Sequence, residues 1–155
     1  MFEYLINSRR RKGYFGSFLL ACYDDDSEKF QTVTMTATGL KDEDLENFYN
    51  ELSKYIIDQP RKDYDVGNIS VDVWFDAKIV WEVKTADLTM SPIYTAGNSL
   101  TDQSRGISLR FPRFIRLRPD KKPEEASTSQ EILQMFKDQE KTDKKLNFAE
   151  EDFYD

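Results

Sequence analysis

Histidine is missing from this sequence altogether, and cysteine occurs once, at Cys22. Without histidine, no Ser-His-Asp or Cys-His constellation can be assembled within the chain. A single thiol supports neither a disulfide framework nor a Cys/His zinc site. No apolar run reaches the roughly 18 residues that a membrane-spanning helix needs, and Met1 is not followed by a charged and then apolar leader. A soluble, intracellular protein is therefore expected. What is present is enough for one core: 155 residues, 39% hydrophobic and 14% aromatic, suit a single domain better than two.

The net charge of -7 argues against a nucleic-acid partner only until its distribution is read, because binding responds to local patches. Arg9, Arg10, Arg11 and Lys12 form one basic block. Arg105, Arg110, Arg113, Arg116, Arg118, Lys121 and Lys122 form another, interrupted by Asp120. From Glu124 onward the chain carries ten carboxylates against four lysines, a composition expected of a solvated tail. An acidic end thus masks a basic body.

Periodicity predicts mostly strands. Residues 14–24 (YFGSFLLACYD) read as a buried strand, 24–28 as a turn, and 30–36 (FQTVTMT) as the second strand of a hairpin ending near Gly39. From Asp42 the spacing of Leu45, Phe48, Tyr49, Leu52 and Ile56 predicts a helix with an acidic first turn and Pro60 beyond its end. Residues 69–75 and 79–88 alternate again, and 107–118 read as a last strand in which Ile115 and Leu117 alternate with Arg116 and Arg118. Thr128 with Glu131 resembles a capping box, followed by the stripe Ile132, Leu133 and Phe136. Short strands with one helix in a connection suit a small barrel better than a parallel α/β sheet. Trp74, Trp81 and Cys22 read as core. Glu82 and Asp87 lack further ligands and are assigned no metal.

The stretch RGISLRFPRFIRLRPDKKPEEAS, residues 105–127, resembles the C-terminal signature of eukaryotic and archaeal replicative ATP-dependent DNA ligases. KGYFGSFLLACYDDD near the start, TGLKDEDL at 38–45 and WFDAKIVWEVKTADLTMSPIY at 74–94 occur in the family's order. The resemblance spans roughly residues 10–130. It implies an all-β, five-stranded Greek-key OB-fold barrel with one inserted helix and a short C-terminal helix. The domain would occupy residues 1–127, the helix 128–140, and an acidic disordered tail 141–155.

The resemblance also implies roles. Arg116, Arg118, Asp120 and Lys121 correspond to the motif that closes over ATP during self-adenylation and orients pyrophosphate. Alternate arginines on a strand suit such a phosphate grip. Arg110 and Phe111 correspond to the pair placed at the minor groove beside a nick, and Arg113 is expected to join them in DNA binding. Arg9, Arg10, Arg11 and Lys12 would contact backbone phosphates without reading sequence. The cofactors implied are ATP and Mg²⁺, bound mainly by a nucleotidyltransferase domain. The partners are that domain and nicked double-stranded DNA, with a monomeric state and a nuclear location in a eukaryote or a cytoplasmic one otherwise.

Departures from the family pattern are visible. Met35, Thr36, Ala37 and Thr38 stand where a basic, glycine-rich pattern is usual; Ile6, Asn7 and Ser8 precede Arg9, and Ala77 replaces a proline. The lysine-x-aspartate-glycine adenylation motif is absent, so the chain is not expected to ligate alone. Two other readings stay open: a free-standing OB-fold that holds nucleic acid without catalysis, and the OB domain of an mRNA capping enzyme. The closing NFAEEDFYD segment is either a short docking peptide or a solubilising end.

Overall fold

The computed structural model describes residues 2–11, 14–101 and 105–154, and the side chains of residues 14–101 and 105–147. Its first three strands form a meander. Strand β1 (Phe2–Arg11) pairs antiparallel with β2 (Tyr14–Asp24), and β2 with β3 (Lys29–Thr36), in the register Phe18↔Thr36 to Asp24↔Lys29. The unbroken apolar run of β2 is explained by burial on both of its faces. Phe18, Leu20 and Cys22 enter one core cluster, and Leu19 and Ala21 the other.

Helix α1 (Asp42–Leu52) begins where the acidic first turn predicts, with the Lys41 amide donating to Asp44 Oδ2 at 2.9 Å. It buries Phe48 and Leu52, whereas Ile56 lies beyond it in a two-residue strand, β4 (Ile56–Ile57). Short strands β5 (Tyr64–Asp65) and β6 (Val73–Phe75) follow. Next come β7 (Val80–Lys84), β8 (Asp87–Ser91), β9 (Gly106–Arg110) and β10 (Arg113–Leu117). The main sheet runs β10-β7-β1-β2-β3-β5, with β6 joined to β1 and β4; β8 and β9 form a separate antiparallel pair.

The described strands do not close into the expected five-stranded barrel, and the reason lies in two bends. The strands predicted at 79–88 and 107–118 are each broken, at Thr85–Ala86 and at Phe111–Pro112, so that the first passes from the main sheet into the second and the other from the second into the main one. The bends are fastened to each other, since the Arg110 carbonyl accepts from the Ala86 amide at 3.1 Å and from the Thr85 hydroxyl at 2.7 Å. Pro112 cannot donate to a ladder, and Phe111 before it sits at φ 52. Between β3 and β9 the link is irregular: Thr34 Oγ1 donates to the Leu109 carbonyl at 3.3 Å, and the Thr32 carbonyl accepts from the Thr95 and Ala96 amides.

Trp81 anchors the core beneath α1, its ring centroid 4.9 Å from Phe18, 4.9 Å from Phe48 and 4.7 Å from Phe114. Trp74 packs in the second cluster and Cys22 is fully buried, as core residues are expected to be. Cys22 Sγ lies 3.5 Å from Ser129 Oγ, which donates to Gln31 Oε1 at 2.6 Å and so fixes the start of the last helix to β3.

That helix, α2 (Ser129–Tyr154), carries the predicted capping box. The Glu131 amide donates to Thr128 Oγ1 at 3.1 Å, and the Thr128 amide to Glu131 at 3.4 Å. It is not short: it runs through the segment read as a solvated tail. Acid-rich composition hides a good helix sequence here, for after Pro123 there is neither glycine nor proline, and Glu, Lys and Gln, all good helix formers, recur through it.

Candidate functional site

Strand β10 carries a cationic face, and a one-residue irregularity makes that face continuous. Arg113 and Arg116 are three apart and would point to opposite sides of a regular strand. The register, however, shifts between Phe114 and Arg116, which pair with consecutive residues Val83 and Glu82. Ile115 is the extra residue, bulged out and 46% exposed. The bulge turns Arg113 and Arg116 to the same outer side, leaves Phe114 buried, and sets aside the regular alternation expected of Ile115.

Further along, Arg118 forks onto Asp120, its Nε 2.9 Å from Oδ1 and its Nη2 2.7 Å from Oδ2, while its Nη1 reaches Glu82 Oε1 at 3.3 Å. Arg116 Nε donates to the other Glu82 oxygen at 2.8 Å. Two arginines and two carboxylates thus form one chain of charge-assisted hydrogen bonds. The bond from Arg118 holds the Asp120 carboxyl down to about 2. The bond from Arg116 lowers Glu82, and bonding to Asp120 raises Arg118. Arg118 is the most enclosed of the set, its side chain 16% exposed against 62% for Arg116. With Lys121 it lines a cleft of about 620 Å³ between α1 and the end of β10, alongside Phe48, Lys54, Ile79 and Leu117. Arg116, Arg118, Asp120 and Lys121, singled out from sequence, are therefore brought to one end of β10. Glu82, which was not, ties two of them together. Its signal is the cross-strand register, which a linear sequence does not display.

Arg110, Phe111 and Arg113 lie at the opposite end of the strand. Phe111 is 73% exposed and in the left-handed region, and the Arg110 guanidinium stands 5.2 Å from its ring centroid while pairing with Asp87 Oδ2 at 3.5 Å. An exposed aromatic held against a cation at a strained turn is not a core residue. The loop around Gly39 supports this turn: Thr36 Oγ1 donates to the Pro112 carbonyl at 3.1 Å, and the Phe114 amide to the Thr38 carbonyl at 2.9 Å. Arg9, Arg10 and Arg11 lie in β1 opposite Ser17, Phe15 and Tyr14, but their side chains, and all of Lys12, fall outside the described residues.

Residues 11–121 match the family profile of the ATP dependent DNA ligase C terminal region. The chain is 44% identical over 147 residues to DNA ligase 1 of Dictyostelium discoideum, covering 93% of this chain and 12% of that protein. It is 47% identical over 131 residues to DNA ligase 1 of Arabidopsis thaliana, covering 84% of this chain and 17% of that protein. With the DNA ligase of Sulfophobococcus zilligii it shares 45% identity over 132 residues, covering 84% of this chain and 21% of that protein. Among solved structures, the ligase domain of Mycobacterium tuberculosis LigD superposes with a TM-score of 0.59 at 23% identity, over 81% of this chain and 37% of that one, a likeness of fold. The chain belongs to the C-terminal region family of ATP-dependent DNA ligases. It spans about a fifth or less of the length of the curated relatives it matches.

Proposed function

We propose that this chain is the OB-fold-like module of an ATP-dependent DNA ligase, serving two steps whose nucleophile lies in a separate nucleotidyltransferase core. In the first, Arg116, Arg118 and Lys121, with Asp120 holding Arg118 in place, face the ATP phosphates and orient the pyrophosphate that leaves as the core lysine is adenylated. Their contribution is positioning and charge neutralisation. In the second, Arg110, Phe111 and Arg113, together with Arg9, Arg10, Arg11 and Lys12, clamp a nicked duplex. An apolar wedge beside cations suits a widened minor groove. Rotation of the module between the two steps lets one small domain present both faces.

The observation that carries this reading is the division of β10: a preorganised arginine-carboxylate network at one end, an exposed aromatic on a strained turn at the other. The cations lining the cleft suit a polyphosphate. Mg²⁺, like most of the ATP, would be held by the nucleotidyltransferase core. The test is self-adenylation of the full-length ligase carrying Arg118→Ala and Lys121→Ala. A loss of at least tenfold is expected, and normal adenylation would make the ATP-facing assignment wrong. In a binding titration, the chain should prefer nicked duplex to single-stranded DNA, whereas the reverse preference would favour a free-standing single-strand binder.

A further inference from the structure

The bulge at Ile115 that aligns the outer face of β10 also creates a charge conflict on it. Directly opposed residues of an antiparallel pair share a face, with Cβ atoms about 5 Å apart. On the outer face of β7 and β10 the opposed pairs are Glu82 with Arg116, which attract, and Lys84 with Arg113, which repel. Both Lys84 and Arg113 are exposed. The acids on the neighbouring strands are engaged elsewhere: Glu82 holds Arg116 and Arg118, and Asp87 holds Arg110. Among the described residues neither Lys84 nor Arg113 has an acidic partner at ion-pair distance. Arg113 is nevertheless positioned. Its stem crosses Gly39, where an added Cβ would lie 2.8 Å from Arg113 Cγ.

We propose that Lys84 and Arg113 form a two-cation clamp for a single backbone phosphate of duplex DNA, with Lys84 a DNA contact in its own right. The site rests on the DNA-clamping reading above and adds to it a residue and a stoichiometry. Like charges in cross-strand register cost stability in the free protein, and an anion bridging them removes that cost on binding. The position is suited to a phosphate rather than a base. Arg113 is two residues beyond the exposed Phe111, and Lys84 precedes the Thr85–Ala86 bend that holds the Arg110 carbonyl. Both cations therefore flank the point where an aromatic would enter the groove. An ammonium and a guanidinium together satisfy several phosphate oxygens without reading sequence.

Charge reversal separates this clamp from a merely solvated pair, because it predicts opposite changes in two measurements. Lys84→Glu should raise the melting temperature of the chain, by converting a repulsive cross-strand pair into an attractive one. It should also weaken binding to a nicked duplex of defined length by tenfold or more. Lys84→Gln should lower affinity alike for nicked and intact duplexes of different sequence. In that single variant the slope of log K against log salt should change little, because Arg113 still neutralises the phosphate. Adding Arg113→Gln removes the second cation from the same phosphate and should make the slope shallower by about 0.9, the value for one phosphate, whereas contacts to two separate phosphates would lose that amount with each substitution. Lys29→Gln, far away on β3, serves as the control and should leave binding unchanged. If both Lys84 variants bind as the wild type does while Phe111→Ala weakens binding, the clamp is wrong and the DNA-facing reading stands. If the wild-type chain shows no duplex binding, or Phe111→Ala is also without effect, both fall together.

Discussion

Arg118 is held from two sides, by Asp120 through both arms of its guanidinium fork and by Glu82 through the remaining nitrogen. A long, flexible side chain is thereby set in place before any ligand arrives. The carboxyl that holds it keeps its charge, because the folded Asp120 titrates at about 2 instead of 3.8. A depressed carboxylate contributes stability that is fully present above its unfolded pKa and is lost as pH falls through the folded value. The pairing is therefore intact from about pH 4 upward and fails only near pH 2. In Arg118→Ala the Asp120 resonance, followed by carbon-detected NMR titration, should move back toward 3.8; an unchanged midpoint would mean that the arginine is not its cause. Gly39 is a second residue whose role is fixed by geometry. At φ 90, with a virtual Cβ 2.5 Å from the Phe114 carbonyl oxygen, Gly39→Ala should cost at least about 1 kcal/mol. Thermal melting should show the loss as a fall of several degrees.

At the scale of elements, the sequence displays periods well and interruptions poorly. The hairpin of β2 and β3, helix α1 and the capping box at Thr128 follow from apolar spacing and from end signals that act within a few residues. The breaks at Thr85–Ala86 and Phe111–Pro112 do not, since each is fixed by the other across the fold, through the Arg110 carbonyl. Pro112 hints at one of them, but nothing local marks Ala86. The bulge at Ile115 is invisible for the same reason: it exists only relative to β7. Arg116, Arg118, Asp120 and Lys121 were legible as a group through a long motif, whereas Glu82, which joins two of them, required the register. The length of α2 was obscured by its acidity. Among the described residues its contacts with the body include Ile132, Leu133, Phe136 and Gln139. Gln139 substitutes for a neighbouring strand, accepting from the Leu88 amide at 2.9 Å and donating to the Leu88 carbonyl at 2.8 Å. Gln139→Leu should therefore destabilise the chain by about 1–3 kcal/mol, because it strips both groups of their partners. Hydrogen exchange at the Leu88 amide should quicken. Removing residues 141–155 should leave the melting temperature within a degree or two; a large drop would show that the distal helix stabilises the body.

At the scale of the whole molecule, the two ends of β10 face different tasks. Phe111 and Arg118 are seven residues apart along an extended chain, roughly 20 Å, too far for one phosphodiester to engage both. Damage at each end should therefore appear at a different step, and supplying the product of the first step should bypass damage at one end only. In a full-length ligase, Arg118→Ala should be slow to adenylate itself but should seal a nick already carrying 5′-adenylate at a rate within a few fold of the wild type. Phe111→Ala should adenylate normally and seal the same pre-adenylated nick at least tenfold more slowly. Single-turnover rates of the two variants on that substrate decide the matter. Equal losses for both variants would mean that β10 acts as one surface, and the rotation between two working positions would have no remaining support.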